Sequence, residues 1–316
     1  MEKLEILKSF LEEGIQLTPK ALDLIFENQE IIDKIKKYAR EKDLILIDEK
    51  VLLELKGMEE QQEVKILYPE EKLSFSLQDV LEMLKERFGF LSKIIQENHH
   101  ISNLTSLHKA KKLKKGEEAT VIGMVKDKTT YAIILEDFTG HETIQLDAKI
   151  VERLFFDDVV AIKIRKEEET FVGDKIFFPS LTFFRKTTTL EKEVIIHNSE
   201  IKVEDRTVAM KLDEILRVYI GEYKLFLLNS KIIEAYKQKN ERELDTLISL
   251  IERRHLNPSF FLCKKFYKKD LFLMDEIPDS IIVFNSNEAL YKAYKGINIF
   301  FLPPDKKLFL REKKFG

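Results

Sequence analysis

Apolar residues recur along this chain with two periods, and the changes of period divide it. Over residues 1–57 the spacing is helical: Leu4, Leu7, Phe10 and Leu11 share a face, and Gly14 follows as a helix stop. Thr18-Pro19 reads as an N-cap with proline in the first helical position, and Leu22, Ile25 and Phe26 line the helix behind it. Ile32, Ile35 and Tyr38-Ala39 predict a third helix, Leu44–Ile47 a short strand, and Asp48 the cap of a last helix ending near Gly57. Residues 58–75 are polar and acidic, contain Pro69, and predict a linker. The longest amphipathic segment follows, with Leu77, Val80, Leu81, Leu84, Phe88, Leu91 and Ile95 on one face. Its expected place is against the domain that comes next, although such a stripe also suits a partner protein.

The period then shortens to two. Strands are predicted at Ala119–Val125, Tyr131–Leu135, Glu142–Leu146, Val159–Ile164 and Phe171–Phe177, with a short helix over Ala148–Leu154. That order and length fit an OB-fold barrel. Phe183–Thr189 reads as a hinge. Beyond it, strands are expected at Val194–His197, Lys224–Leu228, Phe260–Leu262, Ser280–Phe284 and Ile297–Leu302, and helices near Val208–Tyr219 and Glu241–Arg254. Alternation of that kind predicts an α/β layer. The expected fold is therefore multidomain α+β: a helical module (1–57), a linker (58–75), an OB-fold domain with a leading helix (76–185) and an α/β domain (186–316).

Composition narrows the chemistry. A net charge of −3 over 316 residues means that the surface as a whole does not advertise nucleic-acid binding, so any such contact must be local. The local candidates are Lys109, Lys111, Lys112, Lys114 and Lys115 ahead of the barrel, with Lys126, Lys128 and Tyr131 on it. A solvated charge run is an equal reading of the first five. Phe138 is a second aromatic on which a base could stack, but the Lys126–Thr130 connection is short for a binding loop. A single cysteine, Cys263, excludes an internal disulfide and a cysteine-based zinc site. The six histidines show no metal-binding spacing. Met1-Glu2-Lys3 begins no apolar leader and no run approaches the ~18 apolar residues of a membrane span, so a cytoplasmic chain without membrane contact or cofactor is expected. Charged residues at 34% suit a thermophile.

Several stretches carry a family resemblance. Gly116-Glu117-Glu118-Ala119-Thr120-Val121-Ile122-Gly123-Met124-Val125, Leu135-Glu136-Asp137-Phe138-Thr139-Gly140, Asp157-Asp158-Val159-Val160 and Lys175–Pro179 resemble the barrel of the small subunit of archaeal family D DNA polymerase. Phe10–Ala21 is similar to that family's opening helical module. The resemblance implies a calcineurin-like phosphoesterase domain after the barrel, with Asp and His ligands holding two cations at strand ends. On that frame the ligand positions read Glu200, Lys202, Ser230, Asn285 and Asn287. A lysine would repel a dication, and serine and asparagine are weak donors. The segment is also short for the whole catalytic domain. The implied protein is a degenerate, truncated paralogue: a non-catalytic accessory to DNA replication whose partner is a polymerase catalytic subunit or another replisome component. A single-stranded DNA-binding protein is the alternative; a residual metal-dependent 3′–5′ exonuclease is disfavoured by the missing ligands.

Overall fold

Ile6, Phe10, Ile15, Ala21, Ile25, Ile35, Ala39 and Ile47 close on one another as the core of the first unit of a computed structural model. They come from α1 (Lys3–Leu11), β1 (Gln16–Leu17), α2 (Pro19–Glu27), α3 (Ile32–Glu41) and β2 (Leu46–Ile47), with β1 and β2 paired in parallel. Gly14 stops α1 at φ +76°, and the Thr18 hydroxyl accepts a hydrogen bond from the Ala21 amide at the start of α2. The buried stripe of α1 is Ile6 and Phe10; Leu4 and Leu11 point outward, against expectation, because the i, i+4 pair Ile6/Phe10 faces the rest of the core. The structure describes all residues except 1, 28, 53–63, 69, 72–75, 182–187, 263, 264 and 266, and leaves out the side chains of 30 and 261. The hinge expected at Phe183–Thr189 falls largely outside the described residues, as does Cys263.

By its contacts the chain forms two units, Met1–Lys65 with Ile220–Glu222, and Ile66–Tyr219 with Tyr223–Gly316. The linker expectation is corrected at its second half. Val64–Leu67 is a strand (β3), the Lys268 amide donates to the Glu70 carbonyl at 3.0 Å, and Lys265 pairs with Glu71 at 2.6 Å. Alternation of the half-buried Val64 and Ile66 with the exposed Lys65 and Leu67 marks the strand, a pattern that the acidity of the segment masked.

The long helix α4 (Leu77–Asn98) begins at a capping box, with Ser76 and Asp79 satisfying each other's backbone amides. Its second half, Leu91 and Ile95, packs on Ile122, Met124, Val159 and Ala161. After β4 (Leu104–Thr105) and the single turn α5 (Leu107–Ala110) come β5 (Glu118–Lys128), β6 (Ala132–Asp137), β7 (Gly140–Gln145), α6 (Ala148–Glu152), β8 (Val159–Glu167) and β9 (Thr170–Phe177). The strands run in the order β5-β6-β7-β9-β8, with β7 and β9 parallel, and β8 returns to pair antiparallel with β5. A five-stranded barrel closed in that order, with a helix between its third and fourth strands, is the OB-fold. A bulge between Val125 and Asp127 bends β5 so that one strand serves both neighbours. Gly123 sits so close to β6 that a Cβ there would lie 2.9 Å from the Glu136 carbonyl oxygen, which only glycine avoids.

The remainder builds two sheets. One is antiparallel: β10 (Val194–His197), β11 (Glu200–Val203) and β12 (Arg206–Ala209), extended on the other side of β10 by β18 (Leu308–Phe309) and β19 (Lys314–Phe315). The other has six strands, five of which run in the order β16-β17-β15-β14-β13. They are β13 (Ile215–Ile220), β14 (Tyr223–Asn229), β15 (Ser280–Phe284), β16 (Leu290–Tyr294) and β17 (Ile297–Leu302). Strands β14, β15 and β17 are parallel. Every residue of β15 and β17 is buried, as continuous apolar strands in a covered parallel sheet should be. Between β14 and β15 lie α7 (Ser230–Tyr236) and α8 (Glu243–Glu252). Two expectations fail. Val208–Tyr219 is strand at both ends, since Ile215, Val218 and Tyr219 favour a pleated surface. Phe260–Leu262 is a 3₁₀ turn, placed two residues after Pro258 and pinned by the Asp157 carboxylate, which accepts from the Phe260 amide at 2.8 Å.

Candidate functional site

Parallel pairing of β14 with β15 sets Asn229 opposite Phe284, so the residues just beyond both strands meet. Asn229 caps α7 by accepting from the Lys231 amide at 3.1 Å. Ser230 is buried and donates its hydroxyl hydrogen to the Asn285 carbonyl at 3.0 Å. Asn285 holds φ +58°, a left-handed conformation that asparagine tolerates, and Asn287 is exposed in the turn beyond it. This strand-end site thus offers a hydroxyl and a backbone carbonyl, already committed to each other.

Glu200 and Lys202 belong to a different sheet. Asn198, at φ +50°, turns the chain back so that Glu200 pairs with His197 and Lys202 with Ile195 in a hairpin. Both side chains are exposed, with Lys202 also opposite Thr207 of β12. The expectation that they end a strand of the parallel layer is corrected: Val194–His197 feeds a tight turn, not a crossover helix. Among the described residues no three His, Cys, Asp or Glu side chains gather as a metal cluster.

A second constellation joins α4 and the barrel to the α/β part. Arg87 is fully buried; its Nε donates to Asp270 at 2.7 Å and its Nη1 to the Pro258 carbonyl at 2.6 Å. Asp270 also accepts from His255 Nε2 at 2.9 Å, while His255 Nδ1 accepts from the Asn257 amide at 3.2 Å. Those two bonds fix a neutral imidazole with its proton on Nε2. Burial, helped by the nearby Arg87 charge, pushes the His255 pKa down to about 4. Burial alone would raise Asp270, but its His255 and Arg87 partners outweigh it and hold the carboxyl well below the usual range. Beside this group, Arg253 reaches from α8 to Asp158 at 2.9 Å, its guanidinium lying between the rings of Phe155 and Phe178 at 4.4 and 4.6 Å. Sequence reading missed these residues. The available signal was the cation Arg87 bordering the apolar stripe of α4.

The structure divides the lysines expected on the barrel. Lys111 pairs with Glu142 at 2.6 Å, Lys115 with Glu168 at 2.9 Å and Lys126 with Glu136 at 3.1 Å. Lys109, Lys112 and Lys114 are exposed, and none has a carboxylate partner among the described residues. Tyr131 stands 67% exposed within the short β5–β6 connection. Lys128 is corrected: its ammonium turns inward to the Leu154 and Val151 carbonyls at the end of α6, and burial pushes its pKa down. It closes a helix end and is not free for a phosphate.

An OB barrel joined by buried ion pairs to an α/β layer is the class of architecture that these residues define. No family model matches the chain. It is similar to the DNA polymerase II small subunit of Pyrococcus abyssi (strain GE5 / Orsay), 31% identical over 141 residues, covering 41% of this chain and 23% of that protein. The Pyrococcus horikoshii small subunit is 28% identical over 141 residues with the same coverage. The matched stretch thus spans less than a quarter of the relatives' length. Among solved structures, telomere capping protein Ten1 from Saccharomyces pombe aligns at TM-score 0.21 and 18% identity, over 24% of this chain and 78% of that chain. The Escherichia coli hypothetical protein ygiW aligns with the same TM-score and identity over 24% and 88%. Likenesses that low carry no inference. The sequence similarity to archaeal polymerase small subunits is weak and partial.

Proposed function

We propose that this chain is a non-catalytic accessory subunit of a DNA-replication assembly, a protein platform that docks a polymerase catalytic subunit or another replisome component. The observation that carries the reading is the pairing of Ser230 with Asn285 at the strand ends. Where a dinuclear site needs bridging carboxylates, a hydroxyl and a carbonyl bond to each other instead. The similarity to polymerase small subunits supports the setting, and the Arg87 and Arg253 ion pairs support a preformed docking surface.

Incubation with manganese on single-stranded and mismatched primer DNA is expected to give no turnover, and the purified protein no stoichiometric metal. Cleavage that disappears on Ser230→Ala or Glu200→Ala, each tested separately, would sink the reading.

One observation favours a second role in single-stranded DNA binding: Lys109, Lys112 and Lys114 are exposed on one short segment before the barrel, and their ammonium groups have no carboxylate partner among the described residues. Each phosphate contact on a single strand contributes about 0.7 to the slope of log affinity against log salt. Replacing the three by alanine should therefore lower the slope by roughly 2, whereas replacing the paired Lys111 and Lys115 should change it less. Equal losses from the two sets would remove the assignment, and absence of binding at low salt would remove the role.

A further inference from the structure

The antiparallel sheet of β10, β11, β12, β18 and β19 has one face turned inward and one turned to solvent. Its register sets Val208, Ile201, Ile196, Leu308 and Phe315 in one row across the five strands. That row faces inward: Ile196, Ile201 and Leu308 are fully buried, and Phe315 meets the Phe300 ring at 6.3 Å. The next row, Thr207, Lys202, Ile195, Phe309 and Lys314, therefore lies on the outer face. There Thr207, Lys202 and Lys314 are exposed, and Ile195 and Phe309 are half-buried. Lys307 stands two residues before Phe309 on the same face, its backbone bonded in both directions to Gly316. The Phe309 ring rests against Gly316, where a Cβ would come within 2.8 Å of it. Residues 305–316 hold five cations, Lys306, Lys307, Arg311, Lys313 and Lys314, against Asp305 and Glu312, a local excess of positive charge in a chain of net charge −3. All five are exposed, and neither they nor Lys202 has a carboxylate partner among the described residues; Lys313 lies over the Tyr291 ring at 5.5 Å. The other acids of this sheet, Glu193, Glu200, Glu204 and Asp205, belong to its β10–β12 half, where Lys192 holds Glu204 at 3.7 Å. Self-repulsion among the cations weakens the hairpin, and an anionic ligand would offset it.

We propose that this outer face binds single-stranded nucleic acid, with phosphates on Lys202, Lys307 and Lys314 and one base stacked on Phe309. Neighbouring strands lie about 4.8 Å apart, which puts Lys314 roughly 5 Å and Lys202 roughly 10 Å from Phe309 on opposite sides, with Lys307 about 7 Å away along the strand. Cations that flank an aromatic ring on an open sheet follow a phosphate backbone while the ring takes a base. The ring selects a single strand over a duplex, whose base faces are hidden in their own stack. It also selects nucleic acid over an acidic peptide, whose carboxylates satisfy the lysines and leave the ring without a stacking partner. The site is separate from the Lys109 segment, and it is independent of the accessory reading.

The test uses the full chain with Lys109, Lys112 and Lys114 replaced by alanine, so that the sheet is read alone. Fluorescence anisotropy compares two labelled probes of about twelve nucleotides, equal in phosphate charge, one of deoxythymidine and one abasic throughout. At low salt the deoxythymidine probe is expected to bind at least about fivefold tighter. Phe309→Leu should remove that preference by weakening the deoxythymidine probe alone, and Phe309→Tyr should keep it. A misfolded chain cannot give that pair of results. Replacing Lys202, Lys307 and Lys314 by alanine should weaken both probes and lower the slope of log affinity against log salt by roughly 2. Absence of binding at low salt in the starting chain overturns the proposal. So does a preference for bases that survives Phe309→Leu, or an unchanged slope in the chain lacking the three lysines. An oligoglutamate of equal charge that binds as tightly as the deoxythymidine probe makes an acidic protein segment the occupant and overturns it as well.

Discussion

Arg87→Ala is expected to destabilise the protein by about 3–5 kcal/mol, read as a lowered midpoint of urea unfolding with little change in slope. The reason is asymmetry. The guanidinium is fully buried between the Asp270 carboxylate and the Pro258 carbonyl. Removing it leaves a buried anion with one neutral donor, His255, and a carbonyl without its partner. An ion pair at the surface would contribute about 1 kcal/mol at most. The pair need not be more stabilising than an apolar substitute; what costs is breaking it from one side. Arg87→Met combined with Asp270→Asn should therefore recover much of the loss, because no buried charge remains. A loss of under about 1 kcal/mol for Arg87→Ala would mean that water reaches Asp270 and that the contact is not closed.

Acid should weaken the fold before any carboxylate titrates in the unfolded chain. In the native state His255 binds a proton only near pH 4, whereas in the unfolded chain it does so near 6.5. Between those values the unfolded state holds the extra proton, so stability rises with pH and is lost as pH falls through the window. The full effect of one such group is about 3 kcal/mol. Asp270, held low in the native state, adds a further loss only below the ordinary carboxylate range. His255→Gln keeps a hydrogen-bond donor but no titration. Its stability should be lower at pH 7 and flatter from pH 6.5 to 4. A wild-type curve that is flat across that interval would show that the imidazole titrates normally and is not sealed in.

The barrel was legible because its strands carry period-two patterns, and its turns carry Gly140 and the Thr129-Thr130 connection. The α/β part was legible only where strands are apolar throughout, as in Ser280–Phe284 and Ile297–Leu302. Val208–Tyr219 misled because its apolar positions also fit helical spacing, and partner strands decide such cases. The strand-end pair Ser230 and Asn285 could be placed from motif order, since parallel neighbours bring their ends together. Glu200 and Lys202 could not, because one tight turn at Asn198-Ser199 replaces a crossover with a hairpin. The constellation around Arg87 was invisible for a physical reason. His255, Asp270 and Arg253 look like ordinary surface residues until the fold buries them against partners far along the chain.

That distance also fixes an order of assembly. Pro258 and Asp270 follow Arg87 by 171 and 183 residues. At the ~5–20 residues per second of ribosomal synthesis, they emerge roughly ten to thirty seconds later. In the later part of that interval, once β9 has been made, the barrel has every strand it needs, yet the guanidinium at its flank has neither of its acceptors. The nascent barrel thus waits with a solvated cation at a place that is later fully buried. Completion of the C-terminal sheet draws that cation out of water, making translation of the last domain the step that locks α4 and the barrel in place.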